Sequence, residues 1–210
     1  INDSHPMNSV LDLTGVIAHS SNVGTVELAG RIPDQEFFSR CSDFGFGEKT
    51  RIDFPSEQSG LLKSPDQWSG ISKANLAIGQ EVSATPLQLA MAYSAIANGG
   101  ILHRPRLVSA TLEDGVFRAL ADSPSRRVVS AETAEAVRAV LTAVVESGTG
   151  TAASVPGVAV AGKTGTAEFF VDRNKDGLPD RDREGNLPTH AWFTTFAPYE
   201  NPEIALVVFI

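Results

Sequence analysis

Residues 157–170 read "GVAVAGKTGTAEFF", and two incompatible chemistries claim the lysine at its centre. Gly157, Gly162, Lys163 and Thr164 satisfy the phosphate-cradling pattern G-x-x-x-x-G-K-[ST]. The same lysine, followed by Thr164, Gly165 and Thr166, would on an extended strand present one cation and two hydroxyls to a carboxylate. The flanks decide between them. A phosphate loop needs a buried strand before it and a helix starting near the lysine. Here the preceding "TGTAASVP" is polar and broken by proline, and the following "TAEFFVDRNKDG" soon reaches a turn-like cluster. The would-be loop residues "VAVA" alternate β-branched and small side chains, which suits a strand. Lys163 is therefore placed on a strand.

Working outward, the three segments "GVAVAGKTGTAEFF", "HAWFTTFA" and "EIALVVFI" are rich in Val, Phe, Ile, Thr and Trp and lie close together. Turn-rich connections between sequential strands predict an antiparallel sheet. Helices precede it. Thr85, Pro86 and Gln88 form a helix start with a capping box, ahead of "LQLAMAYSAIANGG", which ends at Gly99-Gly100. That helix is apolar nearly all round and is expected to be buried. A second helix is predicted after Ser130, with Val137, Val140, Leu141, Val144 and Val145 on one face, and stops at "SGTG". Residues 10–32 read as mostly helical with a break at "AHSSNVG", and residues 42–80 as loops and short turns. The fold class is α+β, an antiparallel sheet packed with helices, in one domain.

Composition sets outer limits. The chain has 210 residues, 42% hydrophobic and 20% charged, which is ordinary globular composition. A net charge of −8 and the lack of a basic stripe argue against a nucleic-acid partner. The single cysteine, Cys41, leaves no disulfide framework or cysteine zinc cluster. No apolar run approaches the ~20 residues that span a bilayer. The start at Ile1 and the end at Ile210 inside an apolar run are read as those of a fragment.

A strand carrying K-T-G-T at a sheet edge can accept an extended peptide as a further strand. Gly165 lets that peptide backbone come close. Far upstream, "HSSNVG" holds S-x-N as Ser20, Ser21 and Asn22. Hydroxyl, amide and lysine in this order are the ingredients of serine acyl transfer, where a hydroxyl passes a proton and an amide orients substrate. Taken in isolation, Ser20 and Asn22 read as helix-capping residues, and Thr85 and Gln88 are assigned to capping alone.

With "AIGQEVSATPLQLAMAYSAIANGG" (residues 77–100), "FGFGEKTRIDFPSEQSGLL", "AGKTGTAE" and "HAWFTTFAP" added, the whole chain resembles the transpeptidase domain of class B penicillin-binding proteins. These are D,D-transpeptidases that cross-link bacterial peptidoglycan. The resemblance implies a penicillin-binding, serine transpeptidase-like fold, here as a partial domain over residues 1–210. It implies that Ser20 relays a proton, that Lys163 supports the relay, and that Asn22 binds the donor stem peptide. Thr164, Gly165 and Thr166 would line the site. The Thr166 hydroxyl would meet the substrate's terminal carboxylate, and its backbone N–H would be one of two oxyanion donors. The implied partners are D-Ala-D-Ala stem peptides, β-lactams and other cell-wall synthesis proteins. The implied place is the extracytoplasmic face of the cell membrane, in cell division or cell shape, with no cofactor.

The chain also departs from the family pattern. The family's nucleophile lies in S-x-x-K, ahead of S-x-N, and no serine here has lysine three residues later; Ser59 with Lys63 comes nearest. That segment is expected before Ile1, which would leave these 210 residues alone inactive. The competing readings are a non-catalytic penicillin-recognising or cell-wall-binding protein of the same fold, and a β-lactamase or carboxypeptidase. Arg51 and Glu81 stand where the family usually has glycine, and Glu81 is placed at the rim of the site.

Two features bear on metal binding. "DRNKDGLPDRDREG" places Asp172, Asn174, Asp176 and Gly177 as a calcium loop would, but its twelfth position falls on Arg183, with Glu184 one residue late. A solvated hairpin loop is the expected reading. The histidines His5, His19, His103 and His190 lack zinc-ligand spacing, so no metal is expected. His190 is placed at a strand end near the cleft.

Overall fold

The structure is a computed structural model that describes residues 1–3, 10–173, 175–182 and 184–210. Six α-helices and seven strands are found among them. Helices α1 (Leu13–Ala18), α2 (Asn22–Gly30) and α3 (Asp34–Asp43) come first. After a long loop with a 3-10 turn at Pro65–Gln67 follow α4 (Ser72–Ala77) and α5 (Pro86–Ala97). Two antiparallel ribbons come next, β1 (Ile101–His103) with β4 (Ser125–Arg127), and β2 (Ala110–Glu113) with β3 (Val116–Ala119). Helix α6 (Ala131–Ser147) leads to the main sheet, β5 (Ala161–Glu168), β6 (Thr189–Ala197) and β7 (Ile204–Phe209).

That sheet is antiparallel in the order β5-β6-β7, so β5 is an edge strand among the described residues. The expected fold class holds. The register sets Lys163 opposite Thr194, Gly165 opposite Trp192 and Thr166 opposite Ala191. The phosphate-loop alternative is gone, because β5 runs on from Ala161 through Lys163 to Glu168 with no helix after it.

Local chemistry explains both principal helices. Thr85 and Gln88 form a reciprocal capping box at the start of α5, with Pro86 in its first turn. Ser130 caps α6 by accepting from Thr133 N. Ile96 and Ala97 of α5, Leu141 of α6, Ala161 of β5 and Phe196 of β6 make one buried cluster, so both helices pack on the main sheet. Burying Ile96, Leu141 and Phe196 contributes about 1.5–3 kcal/mol each.

Two expectations need correction. Gln88 does more than cap. Buried to 1% exposure, it donates through Nε2 to the carbonyls of Gly45, Glu48 and Ser59, at 3.1, 2.7 and 2.8 Å. The 42–80 region is not all loop, for α4 lies inside it. The capping reading of Ser20 and Asn22, which the family resemblance sets aside, has no support either: Ser21 caps α2, accepting from Gly24 N at 3.0 Å while donating to Asp3 Oδ2 at 2.9 Å.

The calcium-like stretch is part of the loop joining β5 and β6. Asp172 accepts backbone N–H bonds from Asp176 and Gly177 at 3.1 and 2.9 Å. Asn174 and Arg183, like His5, lie outside the described residues. No described helix is long and apolar enough to cross a membrane.

Candidate active site

Two segments 143 residues apart meet at one lysine. Lys163 Nζ donates to Ser20 Oγ at 2.8 Å and to the Thr164 carbonyl at 3.0 Å. Ser20 reaches it through its backbone: at φ +56° it sits in the left-handed region, turning the chain between α1 and α2. For a residue with a Cβ that conformation costs about 1 kcal/mol or more, and such strain gathers at functional sites.

Burial sets the charge state of the lysine. Its partners are neutral oxygens, and desolvation pulls the ammonium down from its ordinary 10.5 to about 8. An amine with a pKa of about 8 gives up and takes back a proton near neutral pH.

Lys163, Thr164, Gly165 and Thr166 line one wall of a groove of about 310 Å³. Trp192 and Thr194 of β6 contribute to that wall, while Leu62, Leu76, Ile78, Val82 and Tyr93 line the rest. The size falls in the usual range for ligand sites. Gly165 is required by its neighbour, since a Cβ there would come within 2.6 Å of Trp192 Nε1. Thr166 is exposed at the groove. Asn22 starts α2, two residues beyond Ser20; its amide Nδ2 donates to the Asn2 carbonyl at 3.1 Å, and it does not line the groove.

The structure adds residues that pattern reading passed over. Thr149, read only within the "SGTG" helix stop, exchanges a 2.7 Å hydroxyl bond with Thr164. Its backbone N–H donates to the Ala18 carbonyl at 3.0 Å, and a Cβ on neighbouring Gly148 would collide with that same carbonyl. The "SGTG" turn thus links the end of α1, just before Ser20, to β5. Its signal was the pair of glycines around a hydroxyl, immediately ahead of the strand. Trp192 could have been found from strand register, which sets it across from Gly165.

Glu81 and Arg51, both at glycine-like positions in the sequence, have φ of +56° and +63°. Glu81 accepts from Ser72 Oγ and Asn75 Nδ2, both at 2.8 Å, and these bonds, with Asn75 first, hold its carboxyl below the usual range. It ties the groove-lining loop around Gly79 and Val82 to α4. His190 stacks on Phe169 at 4.1 Å, beyond the groove lining, at the start of β6.

Residues 1–210 match the penicillin binding protein transpeptidase domain from end to end. The chain belongs to this family. Its relatives place it with the class B members. It is 45% identical over 163 residues to penicillin-binding protein PbpB of Mycobacterium tuberculosis, covering 74% of this chain and 24% of that protein. It is 34% identical to the probable peptidoglycan D,D-transpeptidase PenA of Neisseria meningitidis, covering 100% of this chain and 33% of that one. Penicillin-binding protein 3 of M. tuberculosis, solved free and complexed with ampicillin, superposes with a TM-score of 0.90 at 36% identity. That match covers 100% of this chain and 48% and 47% of the two solved chains. The family member described here therefore spans a quarter to a third of these curated relatives' length.

Proposed function

We propose that these residues are the substrate-holding and proton-relaying part of a peptidoglycan D,D-transpeptidase that β-lactams inhibit. The observation that carries this reading is the bond from Lys163, with its pKa near 8, to the strained Ser20, beside the open edge of β5.

The donor stem peptide lies along β5 as an added strand, close to Gly165. Its terminal carboxylate meets the Thr164 and Thr166 hydroxyls and the positive potential of Lys163. A serine from an S-x-x-K segment, outside these residues, attacks the penultimate D-Ala carbonyl. The Thr166 N–H is one of two donors to the oxyanion, a type of contact contributing about 2.7–4 kcal/mol. The C–N bond to the terminal D-Ala breaks, and the departing amine takes a proton passed through Ser20. An amine of a neighbouring stem peptide then attacks the ester, and the serine recovers its proton. A β-lactam would open its ring amide in the first step and remain as an ester. Asn22 would orient the donor backbone once the peptide is in place.

The ampicillin complex of the M. tuberculosis relative and the name of the Neisseria relative support this reading. A site acting on peptidoglycan belongs on the extracytoplasmic face of the cell membrane, among other cell-wall synthesis proteins, in division or shape. The test is the intact mass of the full-length protein before and after penicillin. One drug molecule added, at a rate lowered by Ser20→Ala, is the expected result. A full-length protein that contains S-x-x-K and takes up no drug overturns the proposal and leaves the non-catalytic reading.

A further inference from the structure

A second cavity, of about 330 Å³, lies between the loop at residues 47–57 and the β1–β4 ribbon. It shares no lining residue with the groove. Helix α5 stands between the two, with Gln88 and Met91 facing this cavity and Leu89 and Tyr93 facing the groove. Lys49, Arg51, Arg104 and Arg126 line it with Glu48, while Asp53 and Glu57 stand beside it, a small positive excess in a chain of net charge −8. Asp53 and Glu57 are occupied by the wall and the loop, so the excess positive charge falls on the Arg51 and Lys49 side chains.

The four cations are not equivalent. Arg126 is bound to the carbonyls of Ser42 and Asp43, through Nη2 at 3.2 and 2.9 Å. Arg104 donates from Nε to the Arg51 carbonyl at 2.5 Å and pairs with Asp53 at 2.9 Å. These two build the wall. Glu57 completes the loop, accepting from Thr50 N at 2.7 Å, from the Thr50 hydroxyl and from Arg51 N at 2.9 Å. Arg51 is thereby clamped on both its N–H and its carbonyl at φ +63°.

Glycine would adopt that turn without strain. An arginine whose backbone is held there by two independent clamps has its side chain rooted at the cavity edge, and over-determined strain of this kind accompanies ligand clamps. Among the described residues, the Arg51 and Lys49 side chains make no hydrogen bond or ion pair. Lys49 feels the Glu57 carboxylate, but that carboxylate already accepts the three bonds just named. The rest of the lining includes Phe44, Met91, Leu102 and Pro105, which lower the local dielectric and strengthen any charge pairing at the mouth.

We propose that this cavity is an oxyanion-binding site, with Arg51 and Lys49 as the cations that close on a phosphate or carboxylate group. A guanidinium donates two parallel bonds to either group, and the ammonium adds a point charge. The site is independent of the transpeptidase reading, because it uses none of that site's residues.

The test is titration of the full-length protein at low salt, followed by amide NMR, with inorganic pyrophosphate and separately with a triglutamate peptide. Shifts are expected at the Thr50, Arg51 and Leu102 amides with either probe or both. The probe that binds more tightly names the source, phosphate or carboxylate. Arg51→Gly, which suits the backbone, is expected to weaken binding about tenfold, the worth of one charge-assisted hydrogen bond. Lys49→Gln is expected to weaken it less, and Arg118→Gln, on the β2–β3 ribbon outside the cavity lining, not at all. If Arg118→Gln weakens binding as much as Arg51→Gly, the attraction is diffuse and the site is refuted. Absence of any shift at millimolar concentration of both probes refutes it as well.

Discussion

Lys163 and Arg51 are both cations beside a cavity, and the protein treats them in opposite ways. Lys163 is half-buried on a regular strand, bonded only to neutral oxygens, and lowered to a pKa of about 8. Arg51 is exposed on a strained turn, clamped through its backbone, with its guanidinium unpaired among the described residues. Burial makes the first able to lose its proton. A guanidinium in water keeps its proton at every relevant pH. The difference teaches that the backbone decides where a cation sits, whereas its solvent decides whether it moves protons or holds anions.

The largest expected effect tests the proton-moving side. In the full-length protein, Lys163→Met is expected to slow penicillin acylation 10²- to 10⁴-fold, the usual worth of positioned proton transfer. Time-resolved intact mass measures it, and a loss smaller than tenfold would reduce Lys163 to packing. The pH dependence sharpens the point. Lys163 is lowered on folding, so between about 8 and 10.5 the unfolded chain binds more protons. Its charge therefore costs stability fully below pH 8, and stability recovers as pH rises through that window. The wild type should gain denaturant resistance relative to Lys163→Met over those pH values, and parallel curves would contradict the burial argument.

Next in size are residues that hold the groove's shape. Gln88→Ala removes half of a capping box and leaves the Gly45, Glu48 and Ser59 carbonyls without their shared donor. A loss of about 2–4 kcal/mol is expected in urea unfolding. Gly165→Ala drives a methyl into the Trp192 ring and is expected to cost about 1–3 kcal/mol by overpacking. Thr149→Val deletes the hydroxyl bond to Thr164 at about 1 kcal/mol.

Much of this was legible in the chain, for reasons that differ between its halves. The β5–β7 sheet could be read because its strands are sequential and rich in β-branched and aromatic residues. The α5 start could be read because a capping box is written within four residues. The meeting of Ser20 with Lys163 was visible only through family resemblance, since nothing local to either segment encodes a contact 143 residues away. Helix α4 was missed because six residues carry less than two turns of periodicity. Strands β1 to β4, at three or four residues each, gave no alternation long enough to count. Gln88 was read as a cap alone because its three carbonyl partners lie 29 to 43 residues away.

The smallest expected effect has the opposite sign and returns to the opening pair. Ser20 and Arg51 are both non-glycine residues held at positive φ, at +56° and +63°. Replacing either by glycine relieves about 1–2 kcal/mol of left-handed strain, offset by about 0.5–1 kcal/mol from the freer unfolded chain. A net gain of about 0.5–1 kcal/mol is left, or roughly 1–4 °C in Tm for a chain of this size. Arg51→Gly is thus expected to melt slightly higher than the wild type, whereas in Ser20→Gly the lost 2.8 Å bond to Lys163 cancels the relief and no gain is expected. Their functions should separate: Ser20→Gly loses the hydroxyl that meets Lys163 and slows acylation in the full-length protein, while Arg51→Gly leaves acylation unchanged and loses the oxyanion. If Arg51→Gly melts lower, its side chain does structural work that the geometry does not reveal, and the idea that strain is kept there for a ligand fails.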